Sequence, residues 1–213
     1  MIILGLTGSI GMGKSTVAAM LRRLRIPVYE ADAMVHALYQ RADVARLVGL
    51  AFPSAVVDGA VDRQRLGAIV FADARKMKLL QSIIYPILRD IEGATLRQWA
   101  RQRQRVVVMD IPLLFETGGQ RRVDASMVVD APPFVQRQRV LRRKGMTKEK
   151  IHTVLQTQWP NRLKCQQADA VIPTGLGRAT TFVALQKILR QMQRKLAGGR
   201  LKWNTFGYAR NRS

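Results

Sequence analysis

Hydrophobic positions along the chain fall into short apolar runs separated by stretches with helical spacing. Residues 1–6 (MIILGL) form the first run and predict a buried parallel strand. Beyond a glycine-rich segment, Val17, Met20, Leu21 and Leu24 recur at i, i+3, i+4 and i+7. That spacing predicts a helix from Ser15, ended by Pro27. VYEAD reads as a second, short strand with acids at its carboxyl end. RVVVMD (105–110), ASMVVDA (125–131) and ADAVI (168–172) are the remaining runs. A last helix is expected over about 178–196, with Phe182, Leu185, Ile188, Leu189 and Met192 on one side. Strand–helix alternation of this kind predicts an α/β fold, a parallel sheet with helices on both faces.

Two insertions interrupt the alternation. About 70 residues between EAD and RVVVMD look helical, and SAVVDGAVDR punctuates them as a turn followed by a helix starting at Asp62. The second insertion, about 132–165, carries two helices around KGMTKEK, with Thr147 expected to cap the second, where Ile151, Val154 and Leu155 pack. No repeat or low-complexity segment is present.

Composition narrows the class. A hydrophobic share of 47% over 213 residues is globular, and no run of eighteen apolar residues predicts a membrane span. The apolar start lacks a basic segment before it and reads as a strand rather than a signal peptide. The single cysteine, Cys165, forms no internal disulfide and suits a reducing, cytoplasmic setting. Thirty-six Lys and Arg against 14 Asp and Glu give a net charge of +22. Such a field attracts polyanions, so nucleic-acid binding and a nucleotide enzyme on a basic background both remain open. From Lys187 onward there are eight basic residues and no acid, and the segment 198–213 reads as a basic tail.

The glycine-rich segment carries the sharpest chemistry. Gly8-Ser9-Ile10-Gly11-Met12-Gly13-Lys14-Ser15 fits G-x-x-x-x-G-K-[ST], the phosphate loop of P-loop proteins. Its glycines (Gly8, Gly11, Gly13) let backbone N–H groups converge on phosphate oxygens, and the helix that follows adds the positive end of its dipole. Lys14 reaches the β- and γ-phosphates, and the Ser15 hydroxyl is a ligand for Mg²⁺. Thr16 completes the loop, and Met12 fills space within it. No N-K-x-D segment reads a guanine base. A kinase needs a second substrate site, and the helical insertions offer one.

The order and spacing of several further segments resemble the dephospho-CoA kinase family, over nearly the whole chain to about Thr174. GLTGSIGMGKSTVA resembles the family's opening. EADAMVH resembles its D-A-D-x-x-x-[HR] segment, with Glu30 in place of the first aspartate and Asp32 as the second. DGAVDRQRLGAIVF, DIPLLFETG, the QRQRVLRRKGMT segment, Gln158, Lys164 and ADAVI match further pieces in order. Tyr85-Pro86 stands where the family usually has His-Pro, and Thr174 where asparagine is usual.

The resemblance implies a P-loop three-layer fold with a five-stranded parallel sheet. It implies a single domain over 1–197, a helical CoA-substrate insertion at about 33–104 and a lid at about 134–165. It also implies transfer of the ATP γ-phosphoryl group to the ribose 3′-hydroxyl of dephospho-CoA, with Mg²⁺, and neither membrane nor nucleic acid as partner. Asp32 is expected to orient that hydroxyl and accept its proton; capping the helix from Ala33 is the plainer alternative. Asp110 is expected at the Mg²⁺ shell or as a strand-end cap. Arg139 and Arg143, at i and i+4 on one helix, are expected to close over the transferring group. Glu116, His36, Tyr85 and Arg89 are expected near the acceptor. Another nucleoside or nucleotide kinase, or a nucleic-acid-binding P-loop protein, is the alternative reading.

Overall fold

The computed structural model describes residues 1–143, 146, 154–155 and 157–197. The expected cap Thr147, the packing residue Ile151 and the basic tail lie outside the described residues. The chain divides into two compact units, residues 1–29 with 104–213, and residues 30–103.

The first unit is built on strands β1 (Ile2–Thr7), β2 (Val28–Glu30), β5 (Val106–Asp110), β6 (Ala125–Asp130) and β7 (Ala170–Pro173). They form one sheet in the order β2-β5-β1-β6-β7. β1 pairs in parallel with β5 and β6, and β6 with β7. Every residue of β5 is buried, as a strand covered on both faces requires. Alternate residues serve opposite faces. Leu4, Leu6, Met127 and Val129 join Val17 and Leu21 of helix α1 (Lys14–Arg23) and Leu185 and Met192 of helix α8 (Arg178–Ala197) in one core. On the opposite face, Val128 packs with Phe115, Ala168 and Cys165, at the end of helix α7 (Asn161–Gln167). This is the expected three-layer α/β arrangement.

Helix α1 ends earlier than Pro27 would dictate. Leu24 is its cap, Ile26 N–H bonds the Leu21 carbonyl and Arg25 N–H the Arg22 carbonyl. These are the paired bonds of a Schellman stop, which settles the terminus before proline is reached. Arg25 holds the left-handed position, at φ 58°.

The second unit contains helices α2 (Ala31–Tyr39), α3 (Ala42–Ala51), α4 (Arg63–Phe71) and α5 (Ala74–Arg101), packed around Leu38, Val44, Val48, Leu66, Val70 and Ile84. The helical expectation for this insertion omitted a small hairpin. Strands β3 (Val56–Val57) and β4 (Ala60–Val61) pair antiparallel across Asp58-Gly59. Both turn residues have positive φ, as a two-residue hairpin of this twist demands. Asp62 caps α4, accepting from the Gln64 and Arg65 amides, as its sequence position predicts. No helix among the described residues is long and apolar enough to cross a membrane.

Candidate active site

The phosphate loop leaves β1 at the carboxyl edge of the sheet, where ligands of open α/β sheets bind. Register sets what meets it there. Leu6 lies opposite Asp110 in the β1–β5 ladder, so the two strands end together. Lys14, the first residue of α1, donates from Nζ to Asp110 Oδ1 at 2.6 Å, and the aspartate is almost wholly buried.

The loop is tightly enclosed. A Cβ at Gly8 would collide with Val129. Gly13 caps α1 in the left-handed region, at φ 93°, with no side-chain cap and no acid in the first turn. Among the described residues, the amides of Gly13, Lys14, Ser15 and Thr16 have no acceptor. Open amides at a helix N-terminus are an anion site in waiting. Thr16 also lines a cavity of about 400 Å³ with Met20, Arg23, Arg178 and Phe182. Met12 is buried in the core.

Side chains far away in sequence hold the rest of the loop. Asn161 Oδ1 accepts from Ser9 N–H at 2.9 Å, while its Nδ2 donates to Val129 O and Asp130 Oδ1. Gln158 Oε1 accepts from Ile10 N–H, and Gln136 Nε2 donates to Ile10 O. Thr174 Oγ1 donates to Met12 O at 2.6 Å. Asn161 and Gln136 were not singled out in the sequence, although Gln136 opens the QRQRVLRRKGMT segment.

One expectation about the basic helix needs correction. Helix α6 (Pro133–Leu141) stops two residues before Arg143, so Arg139 and Arg143 do not share a helix. Arg143 N–H bonds the Val140 carbonyl at the frayed end, and its side chain is exposed. Arg139 is engaged with its own unit. It donates from Nη1 to Thr174 Oγ1 at 3.1 Å and from Nη2 to Thr174 O at 2.6 Å, with a long contact to Gly11 O.

Glu116 is also bound within the first unit. Its Oε1 accepts from Lys164 Nζ at 2.8 Å and from Trp159 N–H at 2.8 Å, and Oε2 is buried without a partner among the described residues. Lys164 is fully buried and also donates to the Pro112 carbonyl. Phe115 stacks on Trp159. Burial, reinforced by the Asp130 carboxylate, pushes the neighbouring Cys165 thiol up to about 12, which makes it a poor nucleophile.

The second unit carries the other candidates. β2 ends at Glu30, which caps α2, so Asp32 lies in the first helical turn rather than at a strand end or cap. Its side chain is exposed, and His36 follows one turn later on the same helix. Arg63 Nη1 lies 3.5 Å from His36 Nδ1. The Tyr39 hydroxyl is held above its usual range by burial, against the opposing charge of Arg63 and with Tyr85 adding to the rise. His36, Tyr39, Arg63 and Tyr85 therefore form one neighbourhood. Tyr85-Pro86 lies within α5, and Arg89, exposed, follows Tyr85 by one turn. Arg63 was not singled out in the sequence, although it stands in the DGAVDRQRLGAIVF segment.

Comparison with known proteins places the chain in a family. The dephospho-CoA kinase family model matches residues 2–176. A dephospho-CoA kinase of Mesorhizobium japonicum is 48% identical over 193 residues, covering 91% of this chain and 98% of that protein. One from Paramagnetospirillum magneticum is 56% identical over 160 residues, covering 75% and 76%. A crystal structure from Thermus thermophilus aligns with a TM-score of 0.80 at 33% identity, covering 90% of this chain and 97% of that one. The fold also matches a dephospho-CoA kinase from Campylobacter jejuni, with a TM-score of 0.68 at 22% identity over 91% of this chain and 98% of that one. The chain belongs to the dephospho-CoA kinase family.

Proposed function

We propose that this chain moves the γ-phosphoryl group of ATP to the ribose 3′-hydroxyl of dephospho-CoA, releasing ADP and CoA. In that step the 3′-oxygen forms a bond to phosphorus as the bond to the β-phosphate oxygen breaks. The carrying observation is the phosphate loop itself: open α1 amides beside a lysine already drawn to the carboxyl edge by Asp110. Triphosphate oxygens compete with Asp110 for Lys14, and the ammonium then neutralises charge that grows on the departing phosphate.

The Ser15 hydroxyl and the Asp110 carboxylate suit Mg²⁺, which takes one or two protein oxygens and completes its shell with water and phosphate. Bound there, the ion would screen the phosphate charges. Asp32 is the proposed acceptor of the hydroxyl proton. A carboxylate is a weak base for an alcohol, so its service is mainly to aim the oxygen. Arg139 and Arg143 are the proposed cations for the transferring group, and Arg139 also supports the loop. His36, Tyr85 and Arg89 offer hydrogen bonds and charge to the CoA moiety, and the buried Oε2 of Glu116 offers an acceptor. We assign the helical insertion at about 33–104 to the acceptor and about 134–165 to a lid. The lone cysteine suits a cytoplasmic enzyme.

The test is ADP release from ATP and Mg²⁺ with dephospho-CoA, AMP, cytidine monophosphate or adenosine as acceptor. Release dependent on dephospho-CoA is expected, and equal or faster release with another acceptor overturns the assignment. Asp32→Asn is expected to abolish transfer while ADP affinity stays within about threefold; retained turnover removes Asp32 from the mechanism.

A further inference from the structure

We propose that Thr174 is a positioning residue that aims the Gly13 amide at nucleotide phosphate. The inference rests on the reading that the loop holds the phosphates of ATP, and goes beyond it by naming what orients the loop.

Thr174 follows β7, is buried, and has its own backbone fixed by a bond from its N–H to the Asp130 carbonyl at 2.7 Å. Its single hydroxyl proton goes to Met12 O, at 2.6 Å, in preference to Asp130 O at 3.2 Å. The Met12 carbonyl shares a peptide plane with the Gly13 N–H. In a trans peptide these two groups point in opposite directions. Drawing the carbonyl toward Thr174 therefore turns the Gly13 N–H away from it, and that amide has no acceptor among the described residues.

Arg139 strengthens the bond. Its fork spans the Thr174 hydroxyl and carbonyl, so a cation donates into the oxygen whose proton holds Met12. Such a donor polarises the hydroxyl and makes it a better donor in turn. The approach is close: a Cβ at Gly13 would lie 3.0 Å from Thr174 Oγ1. Gln136 repeats the device two residues earlier in the loop, donating to Ile10 O at 2.8 Å and so setting the Gly11 amide.

The experiment compares wild type, Thr174→Val and Thr174→Ser by calorimetric titration with ADP and by steady-state kinetics. Valine keeps the shape and loses the hydroxyl; serine keeps the hydroxyl. T174V is expected to bind ADP about tenfold more weakly, or ~1.4 kcal/mol, and to raise KM for ATP accordingly, with KM for dephospho-CoA within about twofold of wild type. T174S is expected to recover most of the lost affinity. Wild-type ADP affinity in T174V, or T174S as weak as T174V, overturns the proposal. Should T174V not fold by circular dichroism, Gln136→Met carries the test: a loss of ADP affinity of about fivefold supports the carbonyl-anchor mechanism, and unchanged affinity overturns it. Wild-type protein that binds ADP without phosphorylating dephospho-CoA would overturn the acceptor assignment alone, because the titration needs no acceptor.

Discussion

Lys14 and Asp110 meet across 2.6 Å, although 96 residues separate them in the chain. The contact follows from the β1–β5 register, which ends both strands at one edge and leaves only the loop between Leu6 and Lys14. Lys14→Ala removes the lysine from the proposed phosphate site and a partner from a nearly buried carboxylate. Loss of one such stabilising group costs about 10²–10³ in kcat. Saturating ADP is expected to raise the melting temperature of wild type by several degrees and that of K14A by much less. An equal ADP-induced rise in melting temperature for the two proteins would contradict the role of Lys14.

The Lys164–Glu116 pair is a different use of charge. The lysine side chain is fully buried and the glutamate 11% exposed. Removing one partner of a buried pair leaves the other uncompensated and costs about 3–5 kcal/mol. Lys164→Met is expected to lose stability of that order in urea unfolding. The double variant K164M/E116Q is expected to regain part of it, because no buried charge remains. A cost below about 1 kcal/mol for K164M would show that the pair is solvated in solution.

Arg25 occupies a left-handed position that favours glycine, at φ 58°. An L-residue pays about 1–2 kcal/mol there. Arg25→Gly is expected to stabilise the protein by up to about 1 kcal/mol, since glycine also adds freedom to the unfolded chain. A rise in the urea midpoint at unchanged m-value is the expected signature.

Cys165 gives a pH prediction. Its thiol is pushed up to about 12 from a usual value of 9.0. An unfolded thiol loses its proton first as pH rises, and thiolate formation then favours the unfolded chain. The thiol's contribution to stability is thus complete below about pH 9 and declines as pH climbs toward 12. The stability of wild type relative to Cys165→Ala is expected to fall over that range. At pH 8, a disulfide reagent should react with the native thiol at least about tenfold more slowly than with the urea-unfolded chain.

What the sequence discloses and what it hides divide along physical lines. Strand runs, the phosphate loop and the Asp62 cap are local patterns: each is set by residues within a few positions of one another. The Schellman stop at Arg25 was hidden because a non-glycine residue holds its left-handed position. The loop's anchors were hidden for another reason. Thr174 reaches Met12 across 162 positions, Asn161 reaches Ser9 across 152, and Gln136 reaches Ile10 across 126. Bonds from side chain to distant backbone leave no periodicity. Arg139 was legible as a cation in the QRQRVLRRKGMT segment, but only its hydrogen bonds to Thr174 reveal that it braces the loop.

The central claim is a direct phosphoryl transfer from a loop-held triphosphate to a sugar hydroxyl. It is tested most directly by incubating the protein with dephospho-CoA, Mg²⁺ and ATP labelled in its γ-phosphate, then locating the label. The account predicts label in the 3′-phosphate of CoA, with little in inorganic phosphate. Label confined to inorganic phosphate, or left in ATP, would contradict it.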